Sequence, residues 1–169
     1  MSAARPPEGA QPPPLAEGGG AARAAGNPGG AYPVSGARVI QPPDVAPPVG
    51  AYSQAISTQG AGQTLHISGQ VGFDGAGQLA QGFEAQAEAA WKNIVRILAA
   101  AGMGPQDLVK VTTFVTDAGH LPLLAPVRTR HLGAARPAST VLVVRALARP
   151  EWLVEVEASA WRPDERHGN

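Results

Sequence analysis

Cysteine is absent from the 169-residue sequence, and lysine occurs only at Lys92 and Lys110. Without cysteine there can be no disulfide framework and no thiolate metal site, so we expect a reducing, cytoplasmic location. No run of about 18 apolar residues is present, and we therefore expect no membrane span. The formal net charge is zero, which gives no reason to expect nucleic acid or another polyanion as a partner.

Large apolar side chains are scarce in the first 48 residues, which hold 11 of the 17 prolines. Such a segment cannot bury enough surface to offset its chain entropy. The composition therefore predicts a disordered N-terminal extension over residues 1–48, one folded domain over residues 49–163 and a flexible tail over residues 164–169. Residues 1–30 contain Leu15 as the only large aliphatic residue, so we expect no secretory signal.

Within the folded part, stretches with period-two alternation are separated by stretches with three-and-four spacing. Gly102 is well placed to end the first helix, and Pro122 and Pro126 favour a start of the second near residues 121–123. The order β, α, β, α, β, β predicts an α+β fold with a mixed sheet and two helices on one face. The predicted elements are strand 64–71, helix 83–101, strand 108–116, a helix ending at 132, strand 139–146 and strand 151–161.

The last of these strands carries two carboxylates on one side. Alternation places Glu155 and Glu157 on one face, and Val154, Val156 and Ala158 on the other. Either both carboxylates face water, or at least one faces a site where a proton is exchanged. The pattern alone leaves both alternatives open.

Several functional motifs are excluded. Neither lysine follows a glycine, so there is no Walker loop; the sequence also has no G-x-G-x-x-G motif and no G-x-S-x-G elbow. The four histidines lack metal-ligand spacing, and we predict no metal site. Arg128, Arg130, His131 and Arg136 are interpreted as a solvated helix face.

Five ordered motifs resemble the Rid/YjgF family, the reactive-intermediate (enamine and imine) deaminases, also called endoribonuclease L-PSP. They lie at residues 48–55, 68–70, 101–110, 136–140 and 154–158. The resemblance implies a small α+β fold similar to chorismate mutase, assembled as a homotrimer with ligand sites between subunits. It also implies hydrolysis of a reactive enamine or imine with release of ammonia, without metal or cofactor.

The resemblance assigns roles to individual residues. Glu155 matches the family glutamate that positions water and relays protons, and Tyr52 matches a tyrosine that lines the pocket. Gly69 is expected to allow close approach of a ligand or a sheet neighbour, although an ordinary β-bulge explains it equally well. Ser139 stands where the family has the arginine that binds the substrate carboxylate, and Thr140 follows it.

The missing arginine predicts an altered substrate preference, with weak or no activity on 2-aminoacrylate. The expected ligand is neutral, or is held by the hydroxyls of Ser139 and Thr140 and by backbone amides, because a hydroxyl lacks the bidentate strength of a guanidinium. The alternative is a non-catalytic ligand-binding or chaperone-like trimer. A ribonuclease ranks lowest, because the sequence offers no basic groove with stacking aromatics.

Overall fold

The computed structural model describes residues 32–164. Within this range the chain forms six strands and two α-helices, with short 3-10 turns before β4 and α2. In chain order the elements are β1 (Ala37–Ile40), β2 (Ala55–Thr58), β3 (Gly62–Gln70), α1 (Phe83–Ala100), β4 (Leu108–Val115), α2 (Leu121–Leu132), β5 (Ala138–Val143) and β6 (Val154–Pro163). No helix in this range is both long and apolar enough to cross a membrane.

Four strands form the main sheet in the order β3-β6-β4-β5. β6 is antiparallel to both of its neighbours, whereas β4 and β5 run parallel, as α2 connects them by a crossover. The α+β class and the mixed sheet with two helices are confirmed. The core lies between this sheet and the helices, and its fully buried side chains include Trp91, Ile94 and Leu98 of α1, Val127 of α2, and Val111, Val115, Val154 and Val156 of the sheet.

The first helix ends where glycine permits a left-handed turn. Gly102 has φ +70°; its amide donates to the carbonyl of Ala99 at 3.0 Å, and the amide of Met103 donates to that of Leu98 at 2.8 Å. These paired bonds satisfy carbonyls that the helix would otherwise leave free. The predicted end is thus correct to within one residue. The second helix begins at Leu121, also as predicted.

The two C-terminal strands are shorter at one end than predicted. β6 begins at Val154 rather than residue 151. β5 ends at Val143 rather than residue 146, because its parallel partner β4 ends at Val115, whose carbonyl accepts the amide of Val144 at 2.8 Å. Beyond that bond, none of the described strands lies beside β5 to continue the ladder.

The predicted boundary at residue 49 differs from the structure, because residues 32–48 include a paired strand. β1 pairs antiparallel with β2. Tyr32, Val34 and Val39 are buried in a second apolar cluster around Trp161 of β6. The composition of residues 32–48 did not predict their folding, because the apolar surface on which they pack comes from Trp161. Trp161 is more than 120 positions away in the sequence. Residues 1–31 and 165–169 of the predicted disordered ends lie outside the described residues.

Candidate active site

Glu155 and Gly69 meet on the sheet face that the helices leave open. Glu155 lies opposite Phe114 of β4 and is half-buried. The pairing of β3 with β6 shifts register between Ile67 and Gln70, so β3 bulges at Gly69. A Cβ built on Gly69 would lie 1.7 Å from Oε1 of Glu155. Position 69 therefore combines a β-bulge with the close approach of a sheet neighbour, because the bulge brings the Gly69 backbone against the carboxylate.

None of the ion pairs found among residues 32–164 includes Glu155, and its side chain is free of the hydrogen bonds found in this range. The alternation of β6 explains its position, since Val154 and Val156 on either side are fully buried in the core. A carboxylate that has no ion-pair partner in this range can exchange protons with a bound molecule.

Glu157 differs from Glu155 in its surroundings. It is exposed and lies opposite Thr112. It lines a shallow pocket on the open face with His66, Lys110 and Ser159; the His66 Nδ1 and Ser159 Oγ atoms of that pocket are 3.2 Å apart. Glu157 has no ion-pair partner within the described range.

Ser139 lies on the opposite face of the sheet from Glu155. It pairs with Val111, whose side chain is fully buried beneath the helices, whereas Glu155 pairs with Phe114 three positions along β4. Paired residues point to the same side and neighbours along a strand alternate. Oγ of Ser139 is buried, and no hydrogen-bond partner for it lies among the described residues.

Thr140 faces the open side, but two strands away from Glu155. It pairs with Thr112, and its Oγ1 accepts a hydrogen bond from Nζ of Lys110 at 2.6 Å. Because β4 separates β5 from β6, the backbones of Thr140 and Glu155 are about 10 Å apart across the strands. A single chain does not bring Ser139 or Thr140 to the Glu155 carboxylate.

Tyr52 is placed next to the start of β5. It is half-buried, and the residue after it, Ser53, is buried, with its Oγ donating to the carbonyl of Arg136 at 2.6 Å. The amide of Ser53 donates to the carbonyl of Pro137 at 3.3 Å. These bonds bring Tyr52 close to the Ser139 end of β5 rather than to Glu155.

Arg128 is a candidate site residue that the sequence interpretation missed. Its Nη2 donates to the carbonyl of Ala51 at 2.6 Å, and the side chain is half-buried rather than solvated. Burial lowers the pKa of Arg128, and nearby Arg136 lowers it further. Its spacing of four from the buried Leu124 and Leu132 was the available signal.

These features describe a small α+β domain with a mixed four-stranded sheet, two helices on one face and, on the other, a glutamate that has no ion-pair partner among the described residues. The family model described as Endoribonuclease L-PSP matches residues 43–162. The chain belongs to this family, which is the Rid/YjgF family named from its motifs.

Individual relatives agree with this membership. The 2-iminobutanoate/2-iminopropanoate deaminase of Mus musculus is 34% identical over 125 residues, which cover 73% of this chain and 90% of that protein. A RutC family protein of Pyrococcus horikoshii is 34% identical over 117 residues, covering 68% of this chain and 90% of its own. The crystal structure of a conserved Rid family protein of unknown function from Yersinia pestis matches with a TM-score of 0.66 and 35% identity, covering 74% of this chain and 98% of its own.

Proposed function

We propose that the protein hydrolyses reactive enamines or imines and releases ammonia, with Glu155 as the group that moves protons. The observation that carries this proposal is the carboxylate of Glu155, which is held against the backbone of Gly69 and has no ion-pair partner in residues 32–164. The similarity to a protein named 2-iminobutanoate/2-iminopropanoate deaminase supports the same reaction class.

The proposed reaction needs only water and one proton-transfer group. The oxygen of water adds to the imine carbon, and Glu155 accepts one proton of that water and passes it to the imine nitrogen, giving a neutral carbinolamine. Glu155 then takes the hydroxyl proton and passes it to the nitrogen as the carbon–nitrogen bond breaks, so that the carbonyl forms and ammonia leaves. An enamine enters the same path after protonation at carbon.

The substrate preference is proposed to differ from that of relatives that keep the strand arginine. Ser139 offers one hydroxyl at that position, and a neutral hydrogen bond is weaker than a bidentate contact from a guanidinium. We therefore expect little activity on 2-aminoacrylate.

The site is proposed to be completed in a homotrimer. Ser139, Thr140 and Tyr52 are far from Glu155 within one chain, so a second copy is needed to unite them. β5, which contains Ser139 and Thr140 and lies next to Tyr52, is an edge strand of the main sheet. Its side chains Val141, Leu142 and Val143 are 41%, 41% and 51% exposed. An exposed apolar edge strand favours association with another chain.

Ammonia release from imines generated in situ by an amino-acid oxidase tests the proposal. Glu155→Gln is expected to reduce the rate about 100-fold or more, because the amide cannot accept the proton, whereas Glu157→Gln is expected to keep it. Equal rates for wild type and Glu155→Gln would refute the proposed role. Light scattering tests the assembly, and a monomer would remove the site between subunits.

A non-catalytic ligand-binding trimer is the second candidate, favoured by the serine at position 139. It predicts that wild type binds a small carbonyl compound but releases no ammonia above the uncatalysed rate. Binding unaffected by Glu155→Gln, together with absent turnover, would select this alternative.

A further inference from the structure

We propose that Arg128 of α2 supplies the cation that binds the substrate carboxylate, at a position different from that of the arginine that Ser139 replaces. The ligand would then be an imine or enamine that carries a carboxylate. This inference deepens the proposed function and rests on it for the identity of the ligand.

The guanidinium of Arg128 is held at the segment that contains Tyr52, one of the predicted site residues. Its Nη2 bonds the carbonyl of Ala51 at 2.6 Å, and Ala51 directly precedes Tyr52. Through Ser53, the same segment is bonded to the carbonyls of Arg136 and Pro137 at 2.6 and 3.3 Å. Arg128 therefore borders the segment around Tyr52. This segment is hydrogen-bonded to the residues just before β5, the strand that contains Ser139.

The charge of Arg128 is not compensated by any acidic side chain in the described part of the chain. A guanidinium has five N–H donors, yet Arg128 makes a single hydrogen bond among the described residues, and its Nε is buried without a partner there. No ion pair in residues 32–164 includes it. Burial and the neighbouring Arg136 both lower the pKa of Arg128, and Tyr52 has the opposite effect. A half-buried, unpaired cation is stabilised when an anion binds beside it.

Arg130, two residues along the same helix, is an exposed arginine that forms an ion pair. Its side chain is 60% exposed, and its Nη2 lies 3.0 Å from Oε2 of Glu88. Arg130 is thus a surface residue with an acidic partner, whereas Arg128 has donors left for a ligand. Ser139 Oγ is also buried, with no hydrogen-bond partner among residues 32–164, and in this proposal it adds a hydroxyl to the carboxylate site.

The placement changes which substrates fit. A carboxylate bound from α2 approaches from a different direction than one bound by a side chain of β5. This explains how an altered preference is compatible with retained binding of 2-imino acids, and it revises the expectation of a neutral ligand.

Calorimetric titration with 2-oxobutanoate and with its methyl ester tests the inference on the assembled protein. Wild type is expected to bind the acid about tenfold or more tightly than the ester, because a hydrogen bond to a charged group is lost in the ester. Arg128→Gln is expected to abolish this preference and Arg128→Lys to reduce it. Arg130→Gln, the matched control, should keep it.

Three results would overturn the inference: no acid preference in wild type, an unchanged preference in Arg128→Gln, or loss of assembly in both Arg128 variants by light scattering. The outcome is separable from that of the proposed function. Arg128-dependent acid binding without ammonia release would leave this inference standing and refute the deaminase. Ammonia release that depends on Glu155, together with acid binding that does not depend on Arg128, would support the deaminase and refute this inference.

Discussion

The α-carbon of Gly69 lies so close to the carboxylate of Glu155 that a methyl group in place of its hydrogen would stand 1.7 Å from Oε1 and 2.6 Å from the carboxyl carbon. Any side chain at position 69 would therefore displace the carboxylate. The glycine is needed for space rather than for an unusual backbone angle, since it is not among the positive-φ glycines.

Gly69→Ala is expected to reduce ammonia release about 100-fold, because displacing a catalytic group by about 1 Å has an effect of that size. The free energy of unfolding should fall by about 1 kcal/mol or less, because the atoms that must move belong to a flexible, half-buried side chain rather than to the core. Initial rates and urea unfolding measure the two effects. Gly75→Ala is the matched control, since nothing lies within 4 Å of the added methyl; it should leave both unchanged. A full rate in Gly69→Ala would contradict the assignment of Glu155.

Ser139→Ala should affect substrate binding without lowering the free energy of unfolding. Because Oγ is buried without a partner among the described residues, its removal should leave the free energy of unfolding unchanged or raise it by about 1 kcal/mol. If the hydroxyl binds substrate, KM should rise about fivefold. Urea unfolding and steady-state kinetics measure these changes.

Thr113→Val provides the comparison for Ser139. Oγ1 of Thr113 is likewise buried without a partner, but the side chain is only 1% exposed and faces the core. The variant should gain similar stability with unchanged KM. An unchanged KM in Ser139→Ala as well would remove Ser139 from the substrate site.

Tyr32→Phe should lower the free energy of unfolding by about 1–2 kcal/mol, because the buried Oη donates to the carbonyl of Leu108 at 2.5 Å. Tyr32 lies before the residues that the family model matches, so this tests whether the folded domain includes the preceding segment. Urea unfolding near pH 7 gives the measurement.

The same variant should alter the dependence of stability on alkaline pH. Burial raises the pKa of the Tyr32 phenol well above its ordinary value, so above about pH 10 the unfolded chain releases a proton that the folded chain retains. Stability contributed by the neutral phenol is therefore lost as the pH rises, by at most about 1.4 kcal/mol per pH unit. The gap between wild type and Tyr32→Phe should narrow above about pH 10. If the stabilities of wild type and Tyr32→Phe changed in parallel with pH, the pKa of the Tyr32 phenol would not be raised in the folded protein.

Local patterns predicted most of the main sheet and both helices. The spacing of Ala87, Trp91, Ile94 and Leu98 predicted the buried stripe of α1, and Gly102 its end, because both signals act within a few residues. The ends of β5 and β6 were less well predicted, since a strand stops where its partner stops. The burial of Tyr32 and Val39 was missed because it depends on Trp161, at the other end of the domain.

The family, the α+β class and the side of β6 on which Glu155 lies could all be inferred from the amino-acid sequence, because motif order and period-two alternation are properties of the chain itself. The tertiary structure alone decided that the Gly69 backbone meets this carboxylate, that Ser139 lies on the opposite sheet face, and that Arg128 is half-buried without an acidic partner in residues 32–164. These relationships depend on strand register, on a bulge and on helix packing, which bring together residues that are distant in sequence.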